Sequence, residues 1–375
     1  MIATLSYILT FEFLLSVAIG AGILKLLLYI TYKDKLFDMP DERRVHHIPV
    51  PRLGGMAFMP TVMVEISIGL GVIYSTGLLG TEGPGLELLI RLSFLLSAAM
   101  LLYVLGILDD LAGVNYKIKF AVQFVAAGML VFSGLWLNNL YGLFGIGELP
   151  MWAGIPLTLL FFLLITNALN MIDGIDGLAS GIAIITLALL AFIYIRERRF
   201  LYSTVSVTML GSVVAFWLFN MFGSPEKRTK LYMGDTGSMT LGLVICALLI
   251  SLCTFEGRNG AQTNGKYITI VLSSLAIPIL EVPRLFVSRL MAHKSPFKPD
   301  NNHIHHLLMR CGLTARKSLA LILSLDALVI ILTAAMTRIL GLTWILFIDV
   351  AIYVLILFVI TRFVKTDSVP KALYR

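Results

Sequence analysis

The residues that could do chemistry fall in five short stretches separated by long apolar runs. The densest is Asn167-Ala168-Leu169-Asn170-Met171-Ile172-Asp173-Gly174-Ile175-Asp176-Gly177-Leu178. Asn170, Asp173 and Asp176 recur every third residue, so on a helix neighbouring members face one another. Over the full set the threefold step drifts around a 3.6-residue helix, and Gly174 and Gly177 predict that the helix breaks there or that something approaches its backbone closely. Two aspartates this close repel unless a cation or a donor lies between them. A single helix cap needs one such residue, not the whole set.

The second stretch is Gly106-Ile107-Leu108-Asp109-Asp110, followed by Lys117, Lys119 and Gln123. Adjacent carboxylates suit Mg²⁺, a hard cation that takes oxygen ligands and keeps waters. They equally suit a base beside a metal-linked acid, or a plain solvated end to a helix. The third is Met233-Gly234-Asp235-Thr236-Gly237-Ser238, where a carboxylate between glycines is closely approachable or simply caps a helix. The fourth is Pro299-Asp300-Asn301-Asn302-His303-Ile304-His305-His306. Three histidines in four positions raise zinc first. The companion motifs, however, offer hard oxygens and no thiolates, so phosphate binding through N–H donors is preferred, with an inert cluster as the alternative. The fifth holds Arg43, Arg44, His46, His47 and Arg52, with Gly54-Gly55 after them. Its arginines could clamp phosphates and its glycine amides could meet an anion, or the loop could serve the lipid surface.

The elements that must position these residues are membrane helices. The chain has 375 residues, 58% hydrophobic and 14% charged, with mean hydropathy +0.91. Soluble domains carry about 25% charged residues. The composition therefore predicts an all-α, polytopic integral membrane protein, organised as a single domain over 1–375. Its motif-bearing core is 44–308, its last two spans lie within 318–364, and 365–375 is a cytoplasmic tail. Eleven spans are predicted, at 5–31, 54–76, 88–108, 117–137, 154–171, 178–196, 201–222, 237–254, 268–291, 318–339 and 342–364, with ten an acceptable count. With the N-terminus outside, 21 of the 29 basic residues fall on the cytoplasmic side and seven outside, Lys25 being inside the first span. That orientation puts every polar stretch on the cytoplasmic face. The net charge of +7 sits in loops between spans, which argues for topology and anionic substrates and against nucleic acid. The three cysteines show no paired spacing, so no structural disulfide is expected. The N-terminus has no basic residue ahead of its apolar run and does not look like a cleaved signal peptide.

Taken together, the motifs make the chain similar to the polyprenyl-phosphate N-acetylhexosamine-1-phosphate transferases, most of all to the WecA-like undecaprenyl-phosphate GlcNAc-1-phosphate transferases. Asp109-Asp110 match the family's aspartate pair. Asn170, Asp173 and Asp176 match its Asn-x-x-Asp-Gly-x-Asp-Gly run, Gly234-Asp235 its Gly-Asp-x-Gly-Ser segment, and His303, His305 and His306 its His-x-His-His loop. The likeness runs from about Arg44 to Leu308. One departure is Glu281, where many relatives are expected to carry Asp. The resemblance implies a fold of ten or eleven helices in a bacterial inner membrane, often a homodimer, with the active site facing the cytoplasm. It implies transfer of HexNAc-1-phosphate, most simply GlcNAc-1-phosphate, from a UDP-N-acetylhexosamine to undecaprenyl phosphate, with Mg²⁺ required and Mn²⁺ able to substitute. On this reading Asp235 is the chief metal ligand, with help from Asp109 and Asp110, either of which could also orient or deprotonate the acceptor. Asn170, Asp173 and Asp176 line the nucleotide side. Gly234 approaches the donor, Arg44 and the three histidines hold its pyrophosphate, and Lys117 and Lys119 are candidates for the lipid phosphate. Two rivals remain. A muramoyl-pentapeptide transferase is disfavoured by the first loop, and a cation-coupled transporter by the absence of a repeat and by polar groups clustered at one interface.

Overall fold

A computed structural model of the chain describes residues 2–34, 50–76, 85–254, 261–295 and 302–364. It is helical almost throughout. In chain order the helices are α1 (Ile2–Asp34), α2 (Phe58–Thr76), α3 (Leu86–Ala112), α4 (Tyr116–Phe132), α5 (Met151–Ile172), α6 (Leu178–Arg196), α7 (Phe200–Phe222), α8 (Gly234–Cys253), α9 (Ala261–Ser273), α10 (Ala276–Met291), α11 (Ile304–Arg310), α12 (Ala315–Met336) and α13 (Leu342–Phe363). Among the described residues nine helices are long and apolar enough to cross a bilayer, and α9 with α10 makes a tenth, bent by 63°. The bend has a cause in sequence. Pro278 has no N–H to give the Ser274 carbonyl, so the helical ladder is interrupted at the break.

The remaining predicted span is α4. Its 17 residues cover about 25 Å, short of the roughly 30 Å hydrocarbon thickness. The chain nonetheless passes from one end of the molecule to the other here. Lys119 at its start bonds Asp235 at the beginning of α8, and Tyr141 beyond its end donates to the carbonyl of Cys253 at the close of α8. The structure adds one feature the apolar pattern did not predict. Strands β1 (Asn139–Leu143) and β2 (Ile146–Glu148) form a hairpin whose turn residues Phe144 and Gly145 both have positive φ.

Helix α8 is the axis of the molecule. Every residue from Thr236 to Cys253 is buried, in contact with α2, α3, α5, α6 and α9. A helix apolar on all sides belongs in an interior. Small residues allow the close approach: a methyl on Gly242 would come within 2.7 Å of the Thr166 backbone in α5. The outer helices α12 and α13 are far less covered and present Leu328, Ile331, Phe347 and Phe358 outward. One hydrophobic cluster runs from Leu24 to Ile360. The end of this bundle where α3, α5 and α7 finish and α4, α6 and α8 begin gathers the polar stretches.

Candidate active site

The site is built around the start of α8. Gly234 precedes its first turn at φ +73°, a conformation that favours glycine, and a side chain there would strike the Asp110 carboxyl group. Asp110, at the end of α3, accepts the N–H of Asp235 at 2.8 Å on one oxygen. On the other it accepts the N–H and the hydroxyl of Thr236 at 2.9 and 2.6 Å. It thus caps α8 from another helix, supplying acceptors that the first turn lacks internally. Its neighbour Asp109 turns the other way. One oxygen accepts the Val114 N–H at 2.6 Å and the second receives Lys119 Nζ. The same ammonium reaches Asp235 Oδ2 at 2.7 Å. Asn170 Nδ2 completes the junction, donating to Asp235 Oδ1 at 3.0 Å and to the Ser238 hydroxyl oxygen at 2.8 Å. Four of the motif residues, drawn from α3, α4, α5 and α8, therefore meet in one hydrogen-bonded knot. Lys117 does not join it: its side chain is exposed, and its N–H is bonded by the Asn115 cap.

Beside the knot the chain leaves helix, as the two glycines predicted. Helix α5 ends at Ile172, residues 173–177 form turns, and α6 starts at Leu178. Asp176 pairs with Lys230 at 2.5 Å. Asp173 is half-buried, and desolvation first, then the charges of Asp176, Asp235 and Asp110, push its carboxyl up to about 7 against the opposing pull of Arg52. A residue outside the motifs ties this turn down. Buried Asn220, on α7, accepts the Gly177 N–H at 2.6 Å and donates to the Leu231 carbonyl at 2.8 Å. It sits alone among apolar neighbours in the sequence, and an isolated carboxamide near a helix end was the only signal available for it.

The histidines close the other side. Their rings lie 4.3 Å (His305 to His306), 5.4 Å (His303 to His305) and 6.1 Å (His303 to His306) apart between centroids. The His305 ring packs on the backbone of Gly174, leaving no room for a side chain there. The fourth motif therefore touches the first, and Gly174 is required by that approach. His305 is fully buried, and neither ring nitrogen has a hydrogen-bond partner among the described residues. Burial, then the nearby His306 and His303, hold it well below the usual histidine range, so it is neutral near pH 7 and offers one N–H.

One expectation needs correction. The amides of Gly54 and Gly55 do not await an anion: they donate to the carbonyls of Tyr232 and Met233 at 2.9 and 2.8 Å, holding the segment ahead of α2 against the approach to α8. Arg44, with His46 and His47, lies outside the described residues.

For a metal, the donor set on offer is the carboxylates of Asp235 and Asp109, which here share the Lys119 ammonium. No three of His, Cys, Asp or Glu converge as a protein-only cage among the described residues. Two carboxylates, both hard oxygen donors, fit Mg²⁺, which is commonly held by one or two carboxylates together with substrate phosphates and water.

Fold and site define an all-α, multi-pass membrane protein with a carboxylate-lined site at one end of its helices. The family model described as glycosyl transferase family 4 matches residues 92–253. Among curated proteins, the chain is 32% identical over 294 residues to the probable undecaprenyl-phosphate N-acetylglucosaminyl 1-phosphate transferase of Bacillus subtilis, covering 78% of this chain and 75% of that one. It is 30% identical over 296 residues to the undecaprenyl-phosphate alpha-N-acetylglucosaminyl 1-phosphate transferase of Escherichia coli K12, covering 78% and 74%. It is 30% identical over 306 residues to the decaprenyl-phosphate N-acetylglucosaminephosphotransferase of Mycobacterium leprae, covering 76% and 72%. The chain belongs to glycosyl transferase family 4.

Proposed function

We propose that the protein transfers HexNAc-1-phosphate, with GlcNAc as the sugar, from a UDP-sugar to undecaprenyl phosphate and releases UMP. The observation that carries this reading is the knot of Asp109, Lys119, Asn170 and Asp235 beside an unpartnered His305, in a chain whose relatives bear that activity in their names. The same names favour it over a muramoyl-pentapeptide transferase or a transporter. An oxygen of the lipid phosphate attacks the sugar-linked phosphorus, the bond from that phosphorus to the bridging oxygen breaks, and UMP leaves. Such a transfer rests on positioning and charge neutralisation rather than covalent help. Lys119 lies where it can meet a lipid phosphate while holding Asp109 and Asp235. Asp173 and Asp176 line the nucleotide side with Asn170. His305 and His306 donate to the pyrophosphate, His305 as a neutral imidazole. Asp235, with help from Asp109, would hold Mg²⁺, and Mn²⁺ in its place. The ion's chemistry there is neutralising pyrophosphate charge. Asp110 serves by holding the start of α8 and so aiming Asp235. The bias of the basic residues supports an orientation with this face in the cytoplasm, and on this reading the protein lies in the inner cell membrane.

Purified protein in detergent with undecaprenyl phosphate, given a panel of UDP-sugars with and without a chelator, tests this. UMP release from UDP-GlcNAc that requires both lipid phosphate and divalent cation is expected. Release independent of the lipid would refute it.

A further inference from the structure

Glu281 takes no part in the reaction as proposed, yet it is 1% exposed at the same end of the molecule. Its carboxylate is wholly engaged. Oε1 accepts the N–H of Ile304 at 2.6 Å. Oε2 accepts Arg284 Nε at 2.7 Å and Nη2 at 2.5 Å. The Arg284 Nη2 then donates to the Asn302 carbonyl at 2.6 Å. Ile304 opens α11, and His303 before it supplies no side-chain cap. The acceptor for the first turn of this helix therefore comes from α10, from a carboxylate placed where the helix dipole favours negative charge. The pair grips the backbone on both sides of His303, one residue before His305.

We propose that Glu281 and Arg284 form a clamp that positions the histidine cluster, and with it the donor's pyrophosphate contacts. The second half rests on the phosphate-binding reading of the histidines. The first does not. Alone, α11 has seven residues, about two turns, too short for a stable free helix. Buried Ile304, Leu307 and Leu308 pack α11 against α12 and α13, and the bonding of Asn302 and Ile304 to the bent helix behind it sets where His305 meets Gly174. The length of glutamate matters here: aspartate is about 1.5 Å shorter along the chain, the length of one C–C bond, so Glu281→Asp cannot reach both Ile304 and Arg284 from the same backbone.

The test uses full-length protein and two readouts. The first is the rate at which an imidazole-acylating reagent modifies His305, followed by mass spectrometry. The buried ring should be protected in wild type and exposed at least tenfold faster in Glu281→Ala and Arg284→Ala. Glu281→Gln, which keeps an acceptor for Ile304, should fall between them. Unchanged protection in all three folded variants overturns the clamp. The second readout is kinetics. Glu281→Gln and Arg284→Ala should raise KM for the UDP-sugar by roughly 10-fold or more, the scale of a hydrogen bond to a charged group, with KM for polyprenyl phosphate unchanged. Adding His305→Ala should then cost little further, because the clamp acts through that ring. Equal losses for both substrates, or full additivity, would mean a merely structural residue and overturn the positioning role. Faster modification of His305 with donor kinetics intact in His305→Ala itself would keep the clamp and refute the phosphate reading instead.

Discussion

The two halves of the site are finished to different degrees. On the side of α3, α4 and α8, Asp109, Asp110, Lys119, Asn170 and Asp235 are cross-bonded to one another, and Asp110 alone accepts three hydrogen bonds. On the side of the 173–177 turn and α11, neither ring nitrogen of His305 has a partner among the described residues, and Asp173 is raised to about 7. Buried polar atoms are nearly always bonded, so idle ones call for an explanation. The first half is a scaffold that preorganises charge before any ligand arrives. On the proposed function, the second half is set out for a ligand that brings its own acceptors. Scaffold losses should therefore be severe and show in turnover, whereas ligand-side losses should be graded and show in donor use.

The largest effect is expected at Asp235. Asp235→Asn preserves size but removes the charge that Lys119 and the proposed metal would share, and should cut turnover by about three orders of magnitude or more with the protein still folded. Near-normal turnover at low Mg²⁺ would erase the distinction between the halves. Next comes Asp110. Asp110→Ala strips acceptors from two backbone N–H groups of α8, each loss costing about 1–3 kcal/mol, and should lower the melting temperature as well as turnover. A purely kinetic loss at unchanged melting temperature would make Asp110 a ligand rather than a cap. His305→Ala should weaken donor use by roughly 10- to 150-fold, with His305→Gln recovering part of it by keeping a donor.

The smallest effect is on stability and pH. The Asp173 carboxyl is raised from its usual 3.8 to about 7, so the folded state binds its proton more tightly than the unfolded chain does. Its contribution to stability is complete below pH 3.8 and is lost as pH rises through 7. Asp173→Asn should therefore raise the melting temperature at pH 8 and do little at pH 4. A variant less stable at pH 8 would show that the carboxylate is compensated by a partner.

Much of this could be read in the chain. Apolar runs placed the helices, and the glycines of the 173–177 turn marked where regular structure stops. The four motifs converge as their shared end of the bundle requires. What stayed hidden was long-range. Asp109 and Asp110 are adjacent and chemically alike, and only the angle of α3 against α8 sends one to Lys119 and the other to backbone amides. The role of Asn220 was hidden behind an isolated carboxamide because its partners, Gly177 and Leu231, are brought together by tertiary packing alone. Gly54 and Gly55 were misread for the same reason, since their amides meet carbonyls nearly 180 residues away.

On the proposed function a phosphoryl group, not a bare sugar, moves to the lipid. UDP-GlcNAc carrying radioactive phosphorus only in its sugar-linked phosphate tests this with purified protein and undecaprenyl phosphate. The account predicts that the label appears in the lipid-extractable product and that the released nucleotide is unlabelled UMP. Label recovered in free UDP, with an unlabelled glycolipid, would contradict it.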